Sequence, residues 1–330
     1  MALATSSVDP RRPAADPPHQ ARQPSNFSRS ARILGVGIAT LDIINQVERY
    51  PAEDDEVRAL SQRRLRGGNC ANTLAVLNEL GHNCHWAGTL ADDSGAAFIR
   101  QDLTARGIDL SAAKTNPGGA TPTSYITLSR ATGSRTIVHH RDLPELSAAD
   151  FAQVDLSNLD WAHFEGRNPA ETEAMIGRVA AECPGLPISV EIEKPRPGIE
   201  RLFRLPSDRQ TLLIVSRAFA EQHGAREPET FLQAFANDCN ATLLILPWGA
   251  KGAYALTAAR ELLFAPAHPP ATVVDTIAAG DVFNAAVIDA LLQGADLAEV
   301  LERANALAGR SCGQLGIDGL NAVPQASSGD

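Results

Sequence analysis

The sequence lacks the features that mark several large classes of protein. Its five cysteines are odd in number and form no C-x-x-C pair, so neither a disulfide framework nor a zinc site is expected. No apolar run is long enough to cross a membrane, and no signal-peptide core precedes the first predicted strand. We therefore expect a cytoplasmic protein with reduced thiols and no membrane partner.

Basic runs are absent as well, and the formal net charge is -10 at pH 7. Such a sequence offers no basic stripe for nucleic acid, which we do not expect as a partner. Two common nucleotide-binding motifs are also missing. The segment GVGIAT has no third glycine for the dinucleotide fingerprint, and no GxxxxGK[ST] sequence exists. Any phosphate group must then be bound by another local arrangement.

What the sequence does contain is a regular alternation of short apolar segments with helical patterns. RILGVGIATLDIINQV opens the folded part with a buried strand, and HWAGTL, ISVEIE and TLLIVS are similar apolar runs separated by helical spacing. This alternation predicts βαβ units in a mostly parallel sheet with helices on both faces. Such sheets bind ligands beyond the carboxyl ends of their strands. The segment ATVV, residues 271–274, is interpreted as the end of one further buried strand.

Two segments depart from this alternation. EVRALSQRRLRGG and TPTSYITLSRATGSRTIVHH alternate apolar and polar residues, as the strands of a half-exposed antiparallel sheet do. We expect them to form a small lid, inserted from about residues 42–66 and 120–141 into the larger domain. The lid would cover the edge of the main sheet at which ligands bind.

The two ends of the chain differ from the rest in composition. Residues 1–31 are rich in Pro, Ser, Ala and Arg and show no apolar periodicity, so we expect a disordered tail. Residues 32–323 are expected to form the folded domain. Residues 324–330 are expected to be a flexible C-terminus.

The strongest chemical signal is DTIAAGDVFNA, in which small residues precede a lone carboxylate, Asp281, at the start of a predicted helix. The first backbone N–H groups of a helix lack internal partners and carry the positive end of its dipole. Ala278, Ala279 and Gly280 would therefore let an anion approach closely. A carboxylate here can take a proton from an attacking hydroxyl, but it can equally be an ordinary helix cap. The spacing alone leaves both interpretations open.

Two further turns precede or follow predicted elements. In RGGNCANTLAVLNELG, Gly68 permits close approach at a helix entrance, and Asn69 and Asn72 lie on one helix face. Their amides suit the hydroxyls of a sugar, although Asn69 can also be a simple N-cap. In PWGAKGAY, Gly249 and Gly252 are spaced like a turn that passes close to a nucleotide, which alone is weak evidence.

Taken together, the three stretches resemble the ribokinase or PfkB family of carbohydrate kinases. In that family GGN near the N-terminus is the sugar signature and D-T-x-[GA]-A-G-D the catalytic one. The resemblance runs from about Arg32 to Leu320, and strings such as SVEIEKPR and DLSNLDWAHFEGRN are most similar to its ketohexokinase branch. It implies a ribokinase-like three-layer αβα sandwich with a mostly parallel central sheet and a small β-sheet lid.

The resemblance also implies an activity. The expected enzyme transfers the γ-phosphoryl group of ATP to a hydroxyl of a ketohexose, with fructose to fructose 1-phosphate as the first expectation. Asp281 would be the general base, Ala278, Ala279 and Gly280 would form the anion hole, and Arg135 would contact sugar and phosphate from the lid. Two alternatives stay open: a kinase for another sugar or a nucleoside, and a sugar- or nucleotide-binding protein without turnover.

Further residues are assigned to the two ligands by the same resemblance. The implied sugar contacts are Asp42, Asp54, Gly68, Asn69, Asn72, Arg135, Trp248 and Asp281. The implied nucleotide contacts are Trp248, Gly249, Gly252, Pro269, Pro270, Thr276, Ala278, Gly280, Phe283, Asn305 and Ala308. Asp54 would reach its sugar from the neighbouring subunit of a homodimer, in which the two β-sheet lids clasp. It can as well belong to an exposed acidic turn, AEDDE.

Metal ions complete the expectations. Mg²⁺ is expected as the complex with ATP, but many family members carry an N-x-x-E motif that organises it. Here VSRAFAEQHG stands in that place, so the magnesium ligands are unassigned. A monovalent cation, K⁺, is implied beside the catalytic turn, with Asp275, the carbonyl of Ile277 and the loop 312–319 as oxygen ligands.

Overall fold

The computed structural model describes residues 30–321 of the chain. The predicted disordered tail and flexible C-terminus therefore lie outside the described residues, apart from the last two positions of that tail. Of these, Ala31 is already buried, and its backbone N–H donates to the His82 ring at 3.2 Å. Within the described range, no helix has the length and apolar character needed to cross a bilayer.

The strands of the described residues are numbered in chain order. They are β1 (Arg32–Val36), β2 (Thr40–Val47), β3 (Ser61–Gly67), β4 (Asn83–Ala87), β5 (Thr89–Leu90), β6 (Lys114–Thr115), β7 (Ala120–Ser129), β8 (Arg135–Asp142), β9 (Trp161–Glu165), β10 (Ile188–Ile192), β11 (Thr211–Val215), β12 (Leu243–Pro247), β13 (Ala253–Thr257) and β14 (Leu262–Ala265).

The helices are numbered in the same way. They are α1 (Asn69–Glu79), α2 (Ser94–Ala105), α3 (Ala148–Phe151), α4 (Pro169–Glu182), α5 (Arg217–Gln222), α6 (Pro228–Phe235), α7 (Ala279–Leu292) and α8 (Leu297–Ser311). Short 3₁₀ turns lie at Ile199–Phe203 and Gly249–Lys251.

The central sheet has eight strands in the order β14-β13-β12-β11-β10-β9-β1-β4. From β4 to β12 all neighbours are parallel, and only β13 and β14 join antiparallel at one edge. The predicted mostly parallel sheet is thus confirmed. Its parallel strands bring their carboxyl ends to one edge, which is where the lid meets the turn before α7, residues 275–278.

Helices cover both faces of this sheet. Alternation along β1 sends Ile33 into a core with α1, α2, α7 and α8, whereas Leu34 and Val36 enter a second core with α3 to α6. Leu212 and Leu213 of β11 divide between the same two cores. Because both faces of these strands are buried, their sequences are continuous apolar runs. The predicted three-layer αβα sandwich is confirmed.

A second sheet of four strands, in the order β3-β2-β7-β8, forms the lid. The sequence pattern predicted an antiparallel lid, and this is wrong for its central pair, because β2 and β7 run parallel. The reason is topological. β2 continues from the carboxyl end of β1, and β7 returns only after a long crossover through β4 and α2, so both strands start from the same side.

The opening segment also differs from its prediction as one buried strand. It divides into β1, which lies in the central sheet, and β2, which lies in the lid. A short turn separates them, where the Gly37 N–H donates to the Ala87 carbonyl at 3.1 Å. The apolar pattern continues through both strands because β2 also buries apolar side chains, Leu41, Ile44 and Val47, so the composition alone gives no sign of the division.

The strand predicted at ATVV is wrong. Residues 271–274 have no strand structure, and Val273 and Val274 are 60% and 47% exposed. Among the described residues the central sheet ends with β14, and residues 271–274 do not pair with it. Instead the Val274 N–H donates to the carbonyl of Cys312, just beyond α8, at 2.8 Å.

Candidate active site

The turn before α7 places a carboxylate in the first turn of a buried helix. Ala278 stands at the N-cap position with φ +63°, a left-handed conformation that is costly for alanine and free for glycine. Ala279 and Gly280 follow, and Asp281 is the third helical residue, only 6% exposed. A Cβ atom added to Gly280 would meet nothing within 4 Å, so the space beside it is open. A ligand can therefore reach the first N–H groups of α7.

Asp281 does not cap its own helix. Its Oδ2 accepts a hydrogen bond from Asn72 Nδ2 at 2.7 Å, and among the described residues no side chain caps α7. Of the two interpretations that the sequence left open, the helix cap is therefore excluded. The carboxylate instead joins α7 to α1, which starts with the GGN sequence.

The start of α1 brings the two predicted asparagines to this place. Gly68 is the N-cap residue, with φ +103°, and an added Cβ would lie 2.2 Å from the Ile38 carbonyl, so only glycine fits. Asn69 is the first helical residue rather than the cap, and its amide donates to both oxygens of Glu191 at 3.2 Å. Each amide therefore hydrogen bonds a buried carboxylate.

The electrostatic surroundings make Asp281 a strong base for a carboxylate. Burial raises the pKa of Asp281 to about 8, and the charges of Glu165 and Glu193 act in the same direction. The hydrogen bond from Asn72 and the charge of Arg66 lower it. Burial also raises the pKa of Glu191 well above its ordinary value. A group with a pKa near neutrality suits proton transfer at physiological pH.

A cavity of about 240 Å³ lies between the lid and the catalytic turn. Its walls come from β2, β3, α1, α2, the turn before α7 and the loop that follows α8. The lining residues that the sequence singled out are Asp42, Asn72, Asp275, Ile277 and Ala278. Asp42 is mostly buried, accepts a hydrogen bond from Thr40 Oγ1 at 2.9 Å, and has a pKa raised by that burial.

Two arginines of the lid contact the turn before α7. Arg135 Nη1 donates to Thr276 Oγ1 at 3.0 Å, which joins two residues that the sequence assigned to different ligands. Arg63 Nη2 lies 3.3 Å from Asp275 Oδ2. The two edge strands of the lid, β3 and β8, are thus attached to two adjacent residues of this turn.

The surroundings of Asp275 fit a monovalent cation in part. Asp275 and Ile277 line the same cavity as residues 316–318, so several oxygen atoms border one space, and hard cations take oxygen ligands. The Asp275 Oδ1 atom, however, accepts from the Ile277 N–H at 2.9 Å, and Arg63 already neutralises Oδ2. A cation bound here would compete with the Arg63 guanidinium.

Several residues assigned to the nucleotide lie at the junction of β13, β14 and α8. Gly252 has φ +117°, and an added Cβ would approach the Ala265 carbonyl to 2.1 Å. Asn305 Nδ2 donates to that same carbonyl at 3.0 Å. Phe283 is 2% exposed within the core on this face, and Ala308 packs against that core. These contacts hold the edge of the sheet, beside the exposed Pro269 and the half-buried Pro270.

Two predicted residues lie away from this group. Trp248 is 3% exposed in the core on the opposite face of the sheet, with the Arg217 guanidinium 5.3 Å from its ring centre. Asp54 lies in an exposed turn with φ +63°. Within one subunit, the structure does not bring either residue to Asp281.

Sequence reasoning missed four charged residues at the site: Arg63 and Arg66 of β3, Glu165 of β9 and Glu191 of β10. The arginines gave no signal, because charges on a lid strand resemble an ordinary exposed surface. The two glutamates did give a signal in the sequence. Each stands at or near the carboxyl end of an otherwise apolar buried strand, WAHFE or ISVEI, which is the ligand-binding edge of such sheets.

Comparison with known proteins identifies the class. The sequence profile described as "pfkB family carbohydrate kinase" matches residues 30–184 and 212–321, and the chain belongs to that family. It is therefore a carbohydrate kinase of ribokinase-like fold, and the resemblance stated from the sequence is confirmed.

Individual relatives refine this result. The chain is 40% identical to ketohexokinase of Mus musculus over 88% of its own length and 98% of that protein. It is 28% identical to the ATP-dependent ribose-1-phosphate kinase of Halopiger xanaduensis, over 90% of this chain and 96% of the relative. The structure of Arabidopsis thaliana ribokinase complexed with ribose and ATP superposes with a TM-score of 0.71 at 22% identity, covering 87% of this chain and 94% of the other.

Proposed function

We propose that this protein is an ATP-dependent ketohexose kinase in which Asp281 is the general base. The observation that carries the proposal is the buried Asp281 carboxylate in the first turn of α7, hydrogen bonded to Asn72 of the GGN helix, which lines the cavity beside the lid. The similarity to a ketohexokinase along nearly the whole relative supports a ketohexose as the acceptor. Fructose is the first expected substrate, and fructose 1-phosphate the first expected product.

The chemistry follows from the positions of the groups. Asp281 takes the proton of the sugar hydroxyl. In the same step the hydroxyl oxygen of the sugar bonds to the γ-phosphorus, while the bond between that phosphorus and the leaving ADP oxygen breaks. The N–H groups at Ala278, Ala279 and Gly280 stabilise the charge on the transferring group, since they stand at the positive end of α7. Arg135 adds a positive charge from the lid. Catalysis of this kind is mainly positioning and electrostatic stabilisation.

The sugar would lie between Asp42 of the lid and the start of α1. Asn69 and Asn72 each use one amide N–H on a carboxylate, which leaves a second N–H for a sugar hydroxyl. The backbone at Gly68 permits the close approach. Glu191 stands behind this position and would orient the Asn69 amide rather than react.

The nucleotide would lie along the edge built by the turn at Gly249–Gly252, the segment 266–270 and α8. Mg²⁺ would accompany its phosphates and neutralise their charge; among the described residues no group of three or more His, Cys, Asp or Glu side chains forms a metal site. K⁺ bound at Asp275 and Ile277 would add positive charge beside the anion hole.

We further propose that residues 32–323 form one domain and that two copies associate through their lids in the cytoplasm. Tyr125 and Val138, which pair across β7 and β8 and so share one face of the lid, are 50% and 64% exposed. Covering such a patch by a second lid would remove it from water. Asp54 would then enter the neighbouring site.

The experiment that tests the activity is a coupled assay of ADP release over a panel of ketohexoses, aldoses, sugar phosphates and nucleosides. We expect the highest kcat/KM with a ketohexose, and product analysis should locate the new phosphate on the 1-hydroxyl of fructose. Preference for a nucleoside, or binding of sugar without ADP release, would contradict the proposal.

A further inference from the structure

Arg66 is an unusual residue for a lid strand. Its neighbours on β3 are largely exposed, yet its own side chain is only 2% exposed. A buried guanidinium is costly unless its hydrogen bonds are satisfied. Here Nε donates to Asp102 Oδ2 at 2.6 Å and Nη1 donates to Asn72 Oδ1, also at 2.6 Å. Arg66 therefore links the lid to both α1 and α2.

The contact with Asn72 decides which way that amide faces. A guanidinium has only donors, so the Asn72 atom next to it must be the carbonyl oxygen. The Asn72 nitrogen then faces Asp281 and donates to Oδ2 at 2.7 Å. A flipped amide would direct its oxygen at the carboxylate and lose both hydrogen bonds. A continuous chain of hydrogen bonds thus runs from Asp102 through Arg66 and Asn72 to Asp281.

We infer that Arg66 is a positioning residue for phosphoryl transfer, because it holds the Asn72 amide in the one orientation that stabilises the ionised Asp281 carboxylate. The inference rests on the proposed role of Asp281 as general base. Arg66 acts through Asn72, and its charge adds a second, direct contribution.

The other groups that face Asp281 make this contribution important. Glu165 from β9, Glu191 from β10, Glu193 just after β10 and the Cys70 thiol from α1 interact electrostatically with the carboxyl group. Burial and the charges of Glu165 and Glu193 raise the pKa of Asp281, whereas the Asn72 hydrogen bond and the charge of Arg66 lower it. Loss of Arg66 would remove its charge and release the Asn72 amide from its fixed orientation, so the upward influences on the pKa would dominate. The base would then be protonated, and inactive, up to a higher pH.

The test is the pH dependence of kcat for the wild type, Arg66→Met and Arg66→Lys. Methionine keeps much of the apolar side chain and removes the charge and donors, so the midpoint of the acid limb should rise by about one pH unit. Lysine keeps the charge but has one donor nitrogen instead of the planar fork of arginine. We therefore expect a smaller rise of the midpoint. At a pH below both midpoints, one unit corresponds to an approximately tenfold lower rate.

Arg106→Met is the matched control. Arg106 Nε lies 3.1 Å from the same Asp102 oxygen, so this change removes a cation from Asp102 without touching Asn72. Its acid-limb midpoint should equal that of the wild type. A second comparison uses an Asn72→Ala background, in which Arg66→Lys should no longer move the midpoint, because the amide through which it acts is gone.

The outcomes separate the inference from the proposed function. An Arg66→Met midpoint equal to the wild type, with only a lower Tm, would make Arg66 a structural strut and overturn the inference. If Arg66→Met does not fold, the same decision is made from the acid-limb midpoints of Arg66→Lys in the wild-type and in the Asn72→Ala background. A wild type without an acid limb, or an Asp281→Asn variant with normal turnover, would instead refute Asp281 as the base.

Discussion

At the residue scale, Asp281 combines two properties that work against each other. The carboxylate is 6% exposed and neighbours further acidic groups, so its ionised form is expensive to bury. The same surroundings bring its pKa close to neutrality, where a general base works best. Two predictions follow from this one side chain, one on activity and one on stability.

Asp281→Asn should abolish turnover and leave sugar binding measurable. The amide keeps the shape of the carboxylate but cannot accept the proton, and a general base typically contributes about 10²–10⁴-fold to the rate. Steady-state kcat gives the first quantity and calorimetry with the sugar gives the second. Near-normal kcat in a folded variant would mean that Asp281 is not the base.

The same variant should be more stable than the wild type at alkaline pH. Because the folded pKa lies above the ordinary value of 3.8, the penalty for burying the charge is absent below that value, grows as the pH rises, and is complete above about 8. The excess Tm of Asp281→Asn should therefore increase from about pH 5 to about pH 9. Each 1 kcal/mol corresponds to roughly 2–4 °C in a domain of this size.

Asp92→Asn, at an exposed position, is the control for that measurement. It removes one carboxylate without a burial penalty, so its Tm should follow the wild type at every pH. If Asp281→Asn also follows the wild type, the burial of Asp281 carries no appreciable free-energy penalty, and its ionisation is matched by its partners.

At the scale of elements, helix α8 passes the segment after β14 so closely that only glycine fits at position 309. An added Cβ would lie 1.8 Å from the His268 carbonyl oxygen. Gly309→Ala should destabilise the protein by about 1–3 kcal/mol, as overpacking does. Because the displaced segment leads into residues 269 and 270, the KM for ATP should rise more than the KM for the sugar.

Gly177→Ala on α4 is the matched control. It is also a helical glycine, but an added Cβ there would meet nothing within 4 Å. Alanine is the better helix former by roughly 0.8–1.0 kcal/mol, so this variant should be slightly more stable. Denaturation by urea measures both variants. Equal stability changes would mean that the close approach at Gly309 relaxes without cost.

The turn between Val274 and α7 carries the prediction on cations. The enzyme should be more active in K⁺ than in Na⁺ or in cation-depleted buffer. Arg63→Gln should lower the K⁺ concentration for half-activation by about fivefold, because a like charge a few ångströms away costs on the order of 1 kcal/mol. Arg201→Gln, at an exposed position paired with Glu173 of α4, should not change it. Equal activity in all three buffers would contradict a cation at Asp275.

At the scale of the whole molecule, the lid connects assembly to activity. Strands β7 and β8 carry the exposed apolar side chains Tyr125 and Val138 on one face, which a partner surface would remove from water. In the proposed dimer that face is covered by a second lid, and Asp54, which is exposed in one subunit, reaches the other site. Catalysis would then depend on the pair of subunits.

Mixing two inactive variants tests this dependence. Under the proposed clasp, a dimer of one Asp281→Asn and one Asp54→Ala subunit has one site with both defects and one site with neither. Random exchange should restore roughly one quarter of the wild-type activity, since half of the dimers are mixed. Background activity after exchange has been verified with differently tagged subunits would show that Asp54 does not act in trans.

The sequence by itself determined the class of fold and the chemical centre. Buried strands that alternate with amphipathic helices specify a parallel sheet between two helical layers, because each element must bury its apolar face. The motif around Asp281 and the GGN segment are local, so their residues can be recognised in the sequence without knowledge of the fold. Both signals depend on spacing within about a dozen positions along the chain.

Only the tertiary structure decided which distant groups meet. Asn72 and Asp281 are 209 positions apart, and the sequence gives no reason for an amide of α1 to face the carboxylate of α7 rather than the sugar alone. In the sequence Arg66 resembles one more charge of an exposed strand, whereas in the structure its side chain is buried against α1 and α2. ATVV has strand composition, but its Val274 N–H bonds the carbonyl of Cys312 after α8 instead of a strand. Partners, edges and burial are properties of the packed chain, and they set the ionisation on which the chemistry depends.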